Sequence, residues 1–406
     1  MSWLRTPDLG TGLLEHRERV HFAELRAARR SRVLAAMEGQ GLDACLFGRE
    51  GNARYLSGVR RLWTAQTRPF TPTCVVVRAT AAVHLLSFSA SYEGIPEELE
   101  PHDVFPVTWS PARFVGHVTA TPGLREARRI GVDGMTPAFR RLLADALPGV
   151  DLVPAEPMMR ALRRRKLPEE ITCIRTAAAI AESALFEAAR RIAPGVCEKE
   201  LQAEYLARMC ELGTSQFAQQ GTFTAIGPNG GLRWITGEQR LVEGSLVALS
   251  GGALWAGYEG SLARTWWCGA RSRPGREPRA LHAVGSEAVA RLVARCRPGV
   301  AGPALRAELA TTDAGRAGAT FAVTSVGLGS EGPIAATWLD PAVEERESVA
   351  AEMVLGVRVF VPGAVGGYLH EEMIAVGERG CEAITTLGHG PLAGAVETRP
   401  MEAQAP

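Results

Sequence analysis

The chain has 406 residues, 46% of them apolar and 22% charged, with a net charge of +1 at neutral pH. That is long enough for two domains with separate cores, and too balanced to recruit nucleic acid or an anionic membrane through its overall field. No run approaches the ~18 apolar residues that span a bilayer, residues 1–30 are charged and lack an apolar signal core, and eight scattered cysteines without a C-x-x-C pattern fit reduced thiols in the cytoplasm.

In chain order, residues 17–39 read as an amphipathic helix, with Val20, Leu25, Val33, Leu34 and Met37 on one side. Residues 43–48 read as a buried strand, 72–78 and 82–88 as a paired hairpin, and 129–133 as a further strand. Helices are expected near 111–120 and 137–147. Alternating strands and helices indicate an α/β domain. A long helical region follows over 156–193. Within it, Pro168 followed by Glu169 and Glu170 suits a helix first turn, where a missing N–H costs nothing and negative charge meets the dipole. Pro194-Gly195 ends the region. A helix at 198–212 precedes a strand-rich core over 217–268. Helices are expected at 276–297 and 302–317, and strands at 320–324, 353–361 and 371–376. The Pro/Ala/Glu-rich tail after Leu392 is expected to be disordered.

Several stretches resemble one hydrolase family. Gly41-Leu-Asp-Ala, Asn52-Ala-Arg-Tyr55-Leu-Ser-Gly58 and the Lys166-Leu-Pro-Glu-Glu-Ile171 entry to the second half are similar to the N-terminal domain and junction of creatinase and prolidase. The stretch from Leu241 through Ser250 and Ser261 to Thr265 resembles the metal-binding hairpin of the pita-bread fold, shared by aminopeptidase P, prolidase, methionine aminopeptidase and creatinase. The resemblance implies an α/β architecture. A creatinase-like N-terminal α/β domain (30–155) would follow an extension (1–29), and a pita-bread domain with a pseudo-two-fold antiparallel sheet (156–392) would precede the tail (393–406). It also implies a homodimer.

The same resemblance implies five metal ligands: two Asp, one His and two Glu. Hard divalent ions need such oxygen and imidazole donors at fixed spacing. The two Asp positions match Ser250 and Ser261. The His position, in Ser325-Val326-Gly-Leu-Gly329, matches Val326. The first Glu position matches Arg358, and the last alone is retained, as Glu371. After residue 166 the chain has only two aspartates, Asp313 and Asp340, so no shift of register restores the set. No metal and no other cofactor is therefore expected. Creatinase, the metal-free branch, implies a His and two Glu, and these positions hold Trp234, Ala263 and His370.

Tyr258, Glu259, Arg264, Glu331, Arg358, His370, Glu371 and Glu372 are expected to cluster. Two readings of Arg358 stay open. It pairs with Glu371 to fill a vacated polar cavity, or it holds a substrate carboxylate. Glu371, His370 and Glu331 are the candidate catalytic residues, with a carboxyl pKa raised in a dry pocket. Arg358, Tyr258, Trp234, Arg264 and Glu259 are the candidate substrate-binding residues. Trp255, Trp266 and Trp267 are pocket wall or sheet core. Ser250 and Ser261 lack an evident His base for a nucleophile. Gly327-Leu-Gly329-Ser-Glu-Gly332 spells G-x-G-x-x-G without a following helix or ribose-binding acid. The expectation is a metal-independent enzyme cleaving a C–N bond of a small polar metabolite. The alternative is an inactive homologue that binds a ligand or a protein.

Overall fold

The computed structural model describes residues 20–59, 74–87, 101–106, 110–214, 216–228, 231–269 and 273–388, with residues 96, 99 and 108. The expected tail and most of the N-terminal extension lie outside the described residues. The chain divides into two compact units between Glu169 and Glu170. The division lies beyond the expected boundary at 155, and the helix that starts at Glu156 stays with the first unit.

The first unit opens with α1 (Phe22–Gly39), whose Leu25, Arg29, Val33 and Met37 are buried at every fourth position. Strand β1 (Ala44–Phe47) is buried along its length. Next come α2 (Glu50–Ser57), β2 (Cys74–Val77), β3 (Val83–Ser87) and β4 (Val104–Pro106). Helices α3 (Pro111–Thr119) and α4 (Pro137–Ala146) each start with Pro behind a hydroxyl cap, Ser110 and Thr136. Strands β5 (Arg129–Val132) and β6 (Asp151–Pro154) and helix α5 (Glu156–Arg164) complete the unit. The sheet order is β4-β3-β2-β1-β5-β6. Ala44, Leu46, Val75, Phe114, Ile130, Phe139 and Leu143 form its core.

The expected helix over 156–193 is two helices, because Pro168 ends one and starts the next. The second, α6 (Pro168–Arg190), is rich in buried alanine. It is followed by α7 (Glu198–Glu211), β7 (Phe217–Ile226), β8 (Ser245–Trp255) and β9 (Tyr258–Cys268). Ala256 and Gly257 join β8 to β9 with φ of 48° and 84°, the left-handed pair that a two-residue hairpin turn needs. Next come α8 (Arg276–Arg295), α9 (Gly302–Ala310), α10 (Asp313–Arg316), β10 (Thr320–Gly327) and β11 (Gly329–Ala336). The G-x-G-x-x-G stretch runs from the last residue of β10 through the turn into β11 and opens no helix. After α11 (Pro341–Glu344), β12 (Val354–Gly363) and β13 (Gly366–Val376) form a long hairpin, and β14 (Cys381–Ala383) pairs with β13.

The second sheet runs β11-β10-β12-β13-β9-β8-β7. The β8–β9 and β12–β13 hairpins thus meet at its centre, where Glu371 pairs with Ala263. Strand alternation sends successive side chains to opposite faces. Val357, Val359, Val361, Ile374 and Val376 pack with Ala288, Val289 and Leu292 of α8. On the same covered face, α6 lies so close to β9 that a Cβ at Gly260 would sit 2.1 Å from the Ala178 nitrogen. The other face carries Ser250, Ser261, Arg358 and Glu371.

Candidate active site

The register of four strands assembles the site face. Ser250 lies opposite Ala263, Ser261 opposite Gly252, Ala263 opposite Glu371, and Glu371 opposite Arg358. Directly opposed residues project to the same side. Ser250, Ser261, Arg358 and Glu371 therefore share one face, with Thr222 and Thr224 of β7 beyond them. One end has an apolar floor of Ile226, Ala248, Ala263, Phe360 and Leu369.

At the centre, Arg358 Nε donates to Glu371 Oε2 at 2.8 Å, and Nη2 donates to the same oxygen at 2.5 Å. Nη2 also reaches Ser250 Oγ at 3.3 Å. Ser261 Oγ donates to the other carboxyl oxygen, Oε1, at 3.2 Å. Both oxygens of Glu371 are thus engaged, and both serines are tied into one network. Gly356 leaves room for it, since a Cβ there would stand 3.2 Å from Glu371 Oε1. Val326 adds a methyl to the same wall, 3.8 Å from that Cβ position.

Two further carboxyls join this face. Buried Glu331 of β11 accepts from Ser325 Oγ at 2.9 Å. Glu259 stands two residues before Ser261 on the same face of β9 and is partly exposed. Burial pushes its pKa up from 4.5 to about 7; Glu371 and Glu331 add to the rise and Arg358 opposes it.

The expected cluster of eight residues divides in two. Arg358, Glu371, Glu259 and Glu331 come together. Tyr258, Arg264, His370 and Glu372 project to the opposite, helix-covered face, because each lies an odd number of positions from a site-face residue on its strand. There, Tyr258 donates to Glu170 of α6 at 2.8 Å. Arg264 bonds Glu372 at 3.0 Å and the Leu387 carbonyl at 2.9 Å, and His370 Nε2 lies 3.1 Å from Glu372. His370 also meets the Tyr368 ring edge-on. These residues hold the segment after β14 and the packing behind the sheet. The expectation that His370 is a candidate acid/base in the same pocket as Glu371 is corrected by this alternation, as is the expectation that Tyr258 and Arg264 line that pocket.

Trp234 reaches the site from a loop. Its ring lies 5.5 Å from the Arg358 guanidinium carbon, in cation–π geometry, and it is 59% exposed. A residue unmarked in the sequence fixes this loop. Fully buried Glu198, at the start of α7, accepts from Thr224 Oγ1 at 3.1 Å, Ala225 N at 2.9 Å, Gly237 N at 3.0 Å and from Arg233. Thr222 Oγ1 donates to the Trp234 carbonyl at 3.3 Å. The threonine alternation in β7 is the only sequence signal for this support. Trp255 and Trp267 are sheet core. Asp313 pairs with Arg316, and Asp340 caps α11. Among the described residues, no three His, Cys, Asp or Glu side chains gather to hold a metal ion.

The model of metallopeptidase family M24 matches residues 172–383, and that of the creatinase/prolidase N-terminal domain matches residues 29–165. The chain belongs to metallopeptidase family M24. It is similar to creatinase from Bacillus sp. (strain B-0618), at 26% identity over 387 residues, 89% of this chain and 91% of that protein. A shorter stretch of 146 residues is 31% identical to Xaa-Pro dipeptidase from Pyrococcus furiosus, covering 35% of this chain and 40% of that one. The fold is shared with the prolidase from Pyrococcus horikoshii OT3, at a TM-score of 0.70 and 19% identity over 90% of this chain and 99% of that one. Among the described residues, no helix is long and apolar enough to cross a membrane.

Proposed function

We propose that this chain is a metal-independent member of its family that hydrolyses or otherwise cleaves a C–N bond of a small polar metabolite. The hydrolytic class is carried over from the likeness to creatinase and Xaa-Pro dipeptidase. Metal independence rests on one observation. A guanidinium, Arg358, is fixed between Glu371 and Ser250 in the middle of the polar face.

Divalent ions need carboxylate or imidazole donors. The facing positions here offer two hydroxyls and a cation, and that cation engages the one carboxyl between them. The residues present do not fit the metals that the family name implies, so no step runs through a metal. Arg358 spends Nε and Nη2 on the protein, while Nη1 makes no hydrogen bond to a described residue. That nitrogen is the group we assign to an anionic oxygen of the substrate, with Trp234 covering the guanidinium face. The two open readings of Arg358 are then compatible: one edge pairs with Glu371 and the other binds. Proton transfer falls to the carboxyls of this face. The second reading, a ligand- or protein-binding homologue without turnover, draws on Trp234 and Ala263 at creatinase-type catalytic positions.

The test incubates purified protein with a fractionated small-molecule extract, with and without chelator, beside Glu371→Gln. Mass spectrometry is expected to find a compound consumed by the wild type alone, with products that sum to substrate plus water and no effect of chelator. Cleavage of Xaa-Pro dipeptides that requires added Mn would overturn the proposal. Ligand retention without turnover would favour the second reading.

A further inference from the structure

The site face holds three carboxyls in three different states of engagement. Glu371 has both oxygens occupied, by Arg358 and by Ser261. Glu331 is buried and accepts from Ser325. Glu259 makes no hydrogen bond to any described residue and is partly exposed. It leaves β9 on the same side as Ser261, two positions away, so it points along the face that carries the Arg358–Glu371 pair.

We propose that Glu259 is the proton-transferring carboxyl of this site, and that Glu371 is the anchor that holds Arg358 in place. The inference rests on the hydrolytic reading above and assigns its central chemical role. A general acid–base needs an oxygen within reach of the substrate and both protonation states available at working pH. Glu371 fails the first requirement, because its oxygens already accept from the protein. Glu259 meets it. The groups that face Glu259 are Glu371 from β13, Arg358 from β12 and Glu331 from β11. With burial, they place its pKa at about 7, so near neutrality both states are populated.

The step balances with water as the co-reactant. Water oxygen forms the new bond to carbon while the C–N bond breaks and its electron pair stays on nitrogen. Glu259 delivers its proton to that nitrogen and takes one from the attacking water, which returns it to its starting state. Arg358 Nη1 holds the substrate's anionic oxygen during the exchange.

The experiment needs no substrate for its first arm. A diazoacetamide esterifies carboxyls only in their protonated form. At about pH 6 a carboxyl with a pKa near 7 is ~90% protonated and an ordinary glutamate ~2%, so peptide mapping should show Glu259 labelled about forty-fold faster than exposed glutamates. The label on Glu259 should fall more than tenfold by about pH 8.5, and Glu371 should stay unlabelled. Labelling of Glu259 at the rate of exposed glutamates, or an ester on Glu371 instead, overturns the proposal. The second arm uses the substrate found above. Glu259→Gln loses no hydrogen bond, so circular dichroism should match wild type while kcat falls at least about a hundredfold with little change in KM. Glu259→Asp should retain part of the rate with a displaced pH profile. A wild-type kcat in Glu259→Gln defeats this assignment and leaves the metal-free reading standing, because metal content is measured separately.

Discussion

Arg358 and Glu371 are directly opposed across the β12–β13 ladder, and the guanidinium grips one carboxyl oxygen with two nitrogens while Ser261 holds the other. Neither charge has enough water around it to be left alone. The Glu371 side chain is 7% exposed and the Arg358 side chain 20%.

Removing one partner therefore strands the other. Arg358→Met or Glu371→Leu alone should each cost about 3 kcal/mol in urea unfolding. The double replacement should cost clearly less than the sum, giving a coupling of at least about 1 kcal/mol. Additive single effects would show that the contact carries no energy.

Glu259 sets a pH dependence. Its pKa rises on folding from 4.5 to about 7. The native state therefore binds its proton more tightly than the unfolded chain does. That preference is fully present below 4.5 and is lost as pH climbs through 7. Glu259→Gln removes the titration. Its Tm should match wild type at about pH 4 and exceed it at about pH 8.5. A constant difference across this range would mean that Glu259 is not perturbed.

Glu198 carries the loop that brings Trp234 to Arg358. A buried carboxylate that accepts from four donors leaves them unsatisfied when it is shortened. Glu198→Ala should cost about 3 kcal/mol. In the folded variant, acrylamide quenching of Trp234, read as the difference from Trp234→Phe, should change. Unaltered quenching would disconnect Glu198 from the loop.

Gly260 lets α6 touch the backbone of β9, with no room for a methyl 2.1 Å from the Ala178 nitrogen. Gly260→Ala should destabilise by about 3 kcal/mol or more, because the three nearest atoms, from Ala177 and Ala178, all belong to backbone. A stability change below about 0.5 kcal/mol would show that the helix slides away freely.

Much of this architecture is legible in the residues. Proline after a hydroxyl marks the starts of α3 and α4, Pro168 with two acids marks α6, and the apolar runs mark β1, β2 and β12. The pairing of Arg358 with Glu371 was one of two open readings, and both residues follow from their places on strands. What the pattern hides is parity. His370, Glu371 and Glu372 are consecutive and polar, and nothing in their order says which of them points toward the site. That depends on which strand pairs with β13 and in what register, a long-range property. The same holds for Glu198, whose partners lie 26 to 39 positions away. The short strands β4, β6 and β14 lack the length for a readable alternation. Strand β11 is hidden by its glycines and Pro333, which its bulged, edge position tolerates.

On the proposed reading, Arg358, Ser250 and Ser261 make a site with no place for a divalent ion. The measurement that tests it most directly is the metal content of protein purified without chelator and then dialysed with excess Mn, Co or Zn, read by elemental mass spectrometry beside calorimetric titration. The expected result is a background level, well below about 0.1 ion per chain, with no binding heat at micromolar concentration. One or two ions per chain, lost when Glu371 is replaced, would contradict it.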